Sequence, residues 1–390
     1  MSNRFTNIIL ILLFSLLQGA CVSAQTRQPA TAPIGSHPVL DTAHAPSLEQ
    51  TLARLEDERL LYVGETHTRN ADHQLQLAVL RSLPAERAAL GVEWFQARFQ
   101  PVLDDFIAGR IDEAEMLQRS EYFKRWGFDY RLYRPIILYA REHHIPIVAL
   151  NASRELTDAI HSSGLKGIAE DLKAQLPDEY DYSDKAYDRQ LREVFAQHRR
   201  EDADFSRFLD VQLTWDETMA QNVARYLAEH PQRRMLVLAG RGHIGGRHGI
   251  PNRVTRRSGI RGVILGSYQP LLPARTQADY LVLDDEQPLP PRGLMGALLD
   301  IEEGVVIKDF TPGSTAKQAG LESGDRILSL DGQDTSDFTR FKLAMLDKRP
   351  GEQVSIKVER KGLFGNRSQK TFAFTLGGEA TEGPHAHPTK

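Results

Sequence analysis

One cysteine, Cys21, stands in a chain of 390 residues. A disulfide within the chain is therefore excluded, as is a C-x-x-C zinc site, and because Cys21 lies in the export segment, lipidated or removed, thiolate catalysis in the folded protein is not expected. An excess of one charge is also missing. Lys+Arg 48 against Asp+Glu 52 leaves a net charge of -4, which provides no global basic field to hold a phosphate backbone and makes nucleic acid an unexpected partner. No H-E-x-x-H occurs, so the local zinc-protease motif is absent. The apolar run Ile8 to Leu17 falls short of the about 20 residues that a membrane-crossing helix needs.

What is present is 41% hydrophobic and 26% charged residues over a length that supports a sizeable core and more than one domain. The first residues, with Arg4 ahead of the apolar run and small residues after it, read as an export signal over 1–24. Two processing sites compete. Cys21 follows Gly19 and Ala20 as a lipidated cysteine would, which predicts a lipid-anchored periplasmic protein; ordinary cleavage after Ala24 is the alternative. Residues 25–46 are rich in Ala, Pro and Thr and read as a flexible tether. A second break is expected at 284–292, "DDEQPLPPR", and a structureless tail at 378–390.

Between these breaks, over 47–283, short apolar runs alternate with longer helical patterns. Leu60 to Val63, Ala88 to Val92, Ile145 to Leu150, Met235 to Ala239 and Val263 to Leu265 have the length and composition of buried parallel strands. Leu75, Val79 and Leu83 recur at helical spacing behind Asn70 and Asp72, either of which is an expected cap. Val211, Trp215, Met219, Val223 and Leu227 form another stripe, read as core. The alternation predicts an α/β domain, a mostly parallel sheet with helices on both faces. Arg154 to His230 interrupts it as a helical insertion carrying Tyr180, Tyr182, Tyr187, Phe195, Phe205 and Phe208, placed to act as a lid.

Ligands of open parallel sheets bind at the carboxyl edge of the strands. The runs above end in "GETH", "EWFQ", "NASR" and "GRGH", which would gather Glu65, His67, Glu93, Asn151, Arg154, Arg241 and His243. The last loop also spells Gly-x-Gly-x-x-Gly at Gly240, Gly242 and Gly245. The dinucleotide reading fails on context, because no acid occurs between Glu229 and Asp279 and Pro251 cuts the helix short. Arg241 and the other arginines of that acid-free stretch favour an anionic ligand, although some must form a solvated face. Glu65, His67, Glu93 and His243 also have the residue types of a divalent-metal site for zinc or manganese, or of an acid and base pair; the plain alternative is that the acids cap helices or pair with arginine.

The segments "YVGETH", "GVEWFQ", "WGFDYRLYRPIILYARE", "VALNASRE", "QLTWDETMAQNV" and "LAGRGHIGGRHGIPNRV" together resemble the ChaN-like family of the haem-binding uptake and Tiki superfamily. The resemblance implies haem binding, a part in iron uptake, an often lipid-anchored protein and a homodimer around the ligand. It further implies a tyrosine ligand to haem iron; Tyr130 and Tyr133 lie in a matching segment, with the lid tyrosines as rivals. Distant superfamily members are hydrolases, which implies a possible catalytic role for Glu65, His67, Glu93 and His243. Residues 293–377, with "RGLMGALLD", "GVVIKDF" and "AGLESGDRILSLDGQ", are similar to PDZ domains. That implies a small β-rich module in which Leu294, Met295, Gly296 and Ala297 receive a peptide carboxylate and Asp325 plays a structural part. Three functions remain open: a haem-binding protein with a docking module, a metal-dependent hydrolase, and a PDZ scaffold.

Overall fold

The computed structural model describes residues 41, 43–197, 204–270, 277–362 and 365–378. The expected signal with Cys21, nearly all of the tether and all but the first residue of the tail lie outside the described residues.

The first domain is built on six parallel strands: β1 (Leu60–Glu65), β2 (Ala88–Gln96), β3 (Ile147–Asn151), β4 (Arg234–Gly240), β5 (Val263–Ser267) and β6 (Tyr280–Val282), in the order β3-β2-β4-β1-β5-β6. Both faces are buried, which is why the strands read as continuous apolar runs instead of alternating ones. Leu61 and Val63 of β1 join one core layer with the helices Asn70–Ser82 and Tyr130–Glu142, while Leu60 and Tyr62 join the other with Phe205–Glu229 and Ile250–Ser258. The strands run one to four residues past the expected apolar stretches because their last residues are polar groups of the loops. β6 was not expected; it is three residues long and only partly buried.

Two local expectations are corrected. Neither Asn70 nor Asp72 caps the helix Asn70–Ser82, whose N-cap position is Arg69 without a side-chain cap bond. The carboxylate of Glu286 fills that role, accepting from Asn70 N at 2.9 Å and Ala71 N at 3.3 Å. The segment 284–292 is consequently no free spacer: Asp284 binds Arg69 at 2.6 Å and Ser267 at 2.6 Å, and Pro290 O accepts from Arg131 at 2.7 Å.

The second domain is an antiparallel sheet of β7 (Ala297–Asp300), β8 (Val306–Phe310), β9 (Arg326–Leu330), β10 (Gln333–Asp334), β11 (Gln353–Lys361) and β12 (Arg367–Thr375), with β7 on the edge. The helix Phe338–Met345 turns Phe341 into this domain's core, whereas Leu343 and Leu346 pack on the first domain's core. The two domains share a packed interface.

Helices Phe205–Glu229 and Ile250–Ser258 are joined by a buried ion cluster. Glu217, fully buried, accepts from Arg253 Nε at 3.0 Å, Arg256 Nη2 at 2.8 Å and Arg257 Nη2 at 2.8 Å. Part of the arginine-rich stretch is thereby used inside the fold. Glu217→Gln is expected to destabilise the protein by about 3–5 kcal/mol in guanidinium unfolding, because it strands buried guanidinium groups. Glu179→Gln, at the half-exposed rim of the cluster, is expected to cost no more than about 1 kcal/mol.

Candidate functional site

All seven loop residues expected at the strand edge, Glu65, His67, Glu93, Asn151, Arg154, Arg241 and His243, line one cavity of about 690 Å³. That volume is in the range of small-molecule sites, about 300–1,000 Å³. The geometry begins with β2, whose pairing to β3 slips between Val92 and Gln96. Glu93 falls in that slip; its carbonyl accepts from Asn151 Nδ2 at 3.0 Å and its carboxylate from Gly240 N at 2.6 Å. Gly240 is required here, since a Cβ would stand 2.9 Å from His67 Cε1.

Glu65 ends β1 and is fully buried. Its Oε1 meets His67 Nδ1 at 2.8 Å and accepts from Tyr133 OH at 3.1 Å; its Oε2 accepts from Gln76 Nε2 at 2.6 Å, with His73 Nδ1 at 3.4 Å. Burial alone would raise this carboxyl, but the His73 and His67 imidazoles and the Gln76 amide reverse that and hold it at about 2. Burial likewise opposes charge on His67, yet the Glu65 hydrogen bond and the Glu93 and Glu65 charges raise its pKa. Its ring is flanked by Trp126 at 5.1 Å and Phe128 at 4.3 Å, and its Nε2 has no hydrogen-bond partner among the described residues.

His243 is the second carboxylate-backed imidazole. Its Nδ1 lies 2.7 Å from Asp216 Oδ1 and its Nε2 3.5 Å from Glu93 Oε1, while Asp216 Oδ2 accepts from Tyr187 OH at 2.6 Å. Burial would lower this pKa; Glu93 and Asp216 together lift it to about 9. Arg241 reaches buried Asp72 at 3.2 Å, and Asp72 also accepts from Thr66 N at 2.7 Å and Arg69 at 2.6 Å, so this arginine fixes two loops together. Arg154 donates to the carbonyls of Lys124 and Arg125 and holds the segment Ser120–Phe128 against the cavity.

The tyrosine expectations fail on geometry. Tyr130 and Tyr133 are buried and absent from the cavity wall; their hydroxyls are given to Glu113 at 2.9 Å and Glu65 at 3.1 Å. Burial and these acids push both phenols well above their ordinary range, against the phenolate that iron would need. The lid tyrosines are no substitute, since Tyr180, Tyr182 and Tyr187 donate to or share bonds with Thr214, Asp210 and Asp216. Nor do Glu65, His67, Glu93 and His243 form a preset metal cage: among the described residues no three acids or histidines converge as ligands. Glu65, Glu93 and His243 are instead engaged by Gln76, Gly240 N and Asp216.

From the insertion, Gln190, Leu191, Phe208, Val211, Gln212 and Trp215 line the cavity, and of the six aromatics expected there only Phe208 does. Trp215, read as core, is a cavity wall 6.2 Å from His243. Sequence reading missed Asp216, Asp72 and Gln76. The acids of "TWDET", inside an otherwise apolar helical stripe, were the available signal.

A raised pKa stabilises the fold below the unfolded value and ceases to do so above the folded one. Comparison of wild type with His243→Gln by chemical unfolding is therefore expected to show a stability gap that is full below about pH 6.5 and closes as pH rises through about 9. A gap independent of pH would contradict the protonated state of His243.

The PDZ domain family matches residues 290–369. The chain is 34% identical across 79 residues to the regulator of sigma-E protease RseP of Escherichia coli, covering 20% of this chain and 17% of that protein. It is 31% identical across 64 residues to the periplasmic serine endoprotease DegQ of the same organism, covering 16% and 14%. The chain thus spans less than a fifth of the length of these relatives. Among solved structures, the cofacial haem complex of ChaN from Campylobacter jejuni aligns at TM-score 0.49 and 17% identity, covering 60% of this chain and 91% of that one. The family described as haem-binding uptake, Tiki superfamily, ChaN matches residues 51–254, just over half of the chain, and the protein belongs to that family, with a PDZ domain following it.

Proposed function

We propose that the cavity binds haem, that His67 supplies the nitrogen facing its iron, and that the second domain docks a peptide of a partner. The observation that carries this reading is the unpartnered Nε2 of His67 on an aromatic cavity wall. The Glu65 carboxylate on Nδ1 orients the ring and raises its basicity, so that Nε2, once its proton is given up, is the nitrogen left to face iron. Haem, if bound, would supply an iron centre, and His67 is the residue that would hold it. Trp94, Phe95, Phe99, Trp126, Phe128 and Trp215 offer flat apolar contact to a porphyrin, and Lys124, Arg125 and Arg154 provide cations for its carboxylates.

The same reading includes export, anchorage through Cys21, a part in haem or iron uptake, and pairing of two copies around the ligand. The run Ile8 to Leu17 followed by Gly19, Ala20 and Cys21 supports the anchor, and among the described residues no helix is long and apolar enough to cross a membrane. For the peptide, the N–H groups of Met295 and Gly296 are without partners among the described residues, whereas that of Leu294 is taken by Gly377 O at 2.8 Å.

Titration of the purified protein with haem is expected to give a Soret shift saturating at a fixed stoichiometry. His67→Ala should move that band and weaken binding at least about tenfold, while Tyr133→Phe leaves the band in place. A Soret spectrum unchanged by His67→Ala would remove the proposed ligand, and no spectral change with wild type would remove the haem reading. Cys21→Ser is expected to shift the protein from the membrane fraction to the soluble one.

A further inference from the structure

The imidazole that faces the cavity is backed by a carboxylate surrounded by donors. Glu65 accepts from Tyr133 OH at 3.1 Å and from Gln76 Nε2 at 2.6 Å, and its other contacts are Nδ1 of His67 at 2.8 Å and Nδ1 of His73 at 3.4 Å. Such a set fits the ionised form, which accepts at both oxygens. Two further acids close the inner end of the cavity. Glu93 accepts from Gly240 N at 2.6 Å and stands 3.5 Å from His243 Nε2; Asp216 stands 2.7 Å from His243 Nδ1 and accepts from Tyr187 OH at 2.6 Å. Glu65, Glu93 and Asp216 are 1%, 6% and 0% exposed, so water does little to screen them.

The charges here do not balance. Three carboxylates face two imidazoles besides His67, those of His73 and His243, and the inner end stays anionic even with both of these protonated. Arg241 and Arg69 do not make up the difference, because Asp72, Asp284 and Glu286 match them.

Iron held by His67 would meet that excess directly. A ferric porphyrin centre carries one more positive charge than a ferrous one, so a buried anion favours the first over the second. Unit charges about 6 Å apart at an effective dielectric near 20 shift an equilibrium by about a hundredfold. The contact of His67 with Glu65 acts in the same sense, since it makes the imidazole a stronger electron donor. Cations at the cavity rim oppose it weakly. Arg125 is engaged by Glu121 at 2.7 Å and Glu155 at 2.9 Å, Arg154 by the carbonyls of Lys124 and Arg125, and Lys124 is exposed to water and salt. The aromatic wall disfavours net charge, but the low dielectric it imposes also strengthens the pull of the three carboxylates.

We infer that the cavity selects the iron(III) form of haem through Glu65 and the acids beside it, and that one-electron reduction is the class of reaction that unloads it. A donor such as a reduced flavin or a quinol loses one electron and the iron gains it; on release the Fe–N bond opens with its electron pair left on His67 Nε2. This inference rests on the haem reading and on His67 as the ligand. It is tested on the purified full chain by Soret titration with haem in air and, under nitrogen, with haem reduced by dithionite, and by spectroelectrochemistry of the loaded protein. The iron(III) form is expected to bind about a hundredfold more tightly. Glu65→Gln should shrink that ratio about tenfold, a rise of about 59 mV in reduction potential. Gln76→Leu removes a competing donor from Glu65 and keeps its charge, so it should move the potential down. Equal binding of the two oxidation states would overturn the inference, and so would a potential that both substitutions move in one direction, as a mere packing role predicts. No Soret change with either form would overturn the haem reading instead, and a band untouched by His67→Ala would overturn the ligand.

Discussion

Carboxylates held out of water constrain this protein more than any other feature. Glu65, Asp72, Asp216 and Glu217 are each at most 1% exposed, and an unpaired buried carboxylate costs several kcal/mol. Each must therefore draw donors from distant parts of the chain. Glu65 brings together His67, Gln76 and Tyr133, Asp72 brings Arg69, Thr66 and Arg241, Asp216 brings Tyr187 and His243, and Glu217 brings three arginines of a later helix. The loops at the strand ends have fixed positions because these acids leave them little choice. The cavity is the space that remains between loops so tied.

The same pairing explains what was legible in the sequence. Strands buried on both faces leave apolar runs, and a parallel sheet places the ends of those runs on one edge. Glu65, Glu93, Asn151 and His243 could be assigned to a common rim on that basis alone. Asp216 could not, because it projects from the middle of the helix Phe205–Glu229 rather than from a strand end, and only the fold shows that it stands behind His243. The tyrosines failed for a related reason. A phenol in a helix gives no sign in sequence of whether its hydroxyl meets solvent, ligand or a buried acid, and at Tyr130, Tyr133 and Tyr187 it meets the acid.

Segment 284–292 was legible as a break in pattern but not as a contact. Its prolines end the first domain's alternation, yet it returns to the start of the helix Asn70–Ser82, where Glu286 satisfies two open N–H groups and Asp284 accepts from the Arg69 guanidinium. Composition reports that a segment forms no helix or strand of its own; it does not report which charges the rest of the protein needs from it.

Docking of that segment has a consequence for how the two domains behave. A tether would let the second domain capture peptides independently of the cavity. Here the helix Phe338–Met345 and the turn after it are divided between two cores, with Phe341 in one and Leu346 in the other, and Arg134 reaching Asp347 at 3.6 Å. Motion of that helix alters packing in both domains at once, because close-packed interiors transmit displacement instead of absorbing it. The elements it touches in the first domain, Glu113–Arg119 and Tyr122–Arg125, lead directly into the aromatic wall beside His67. The wall of the cavity and the second domain are therefore parts of one continuous packed structure.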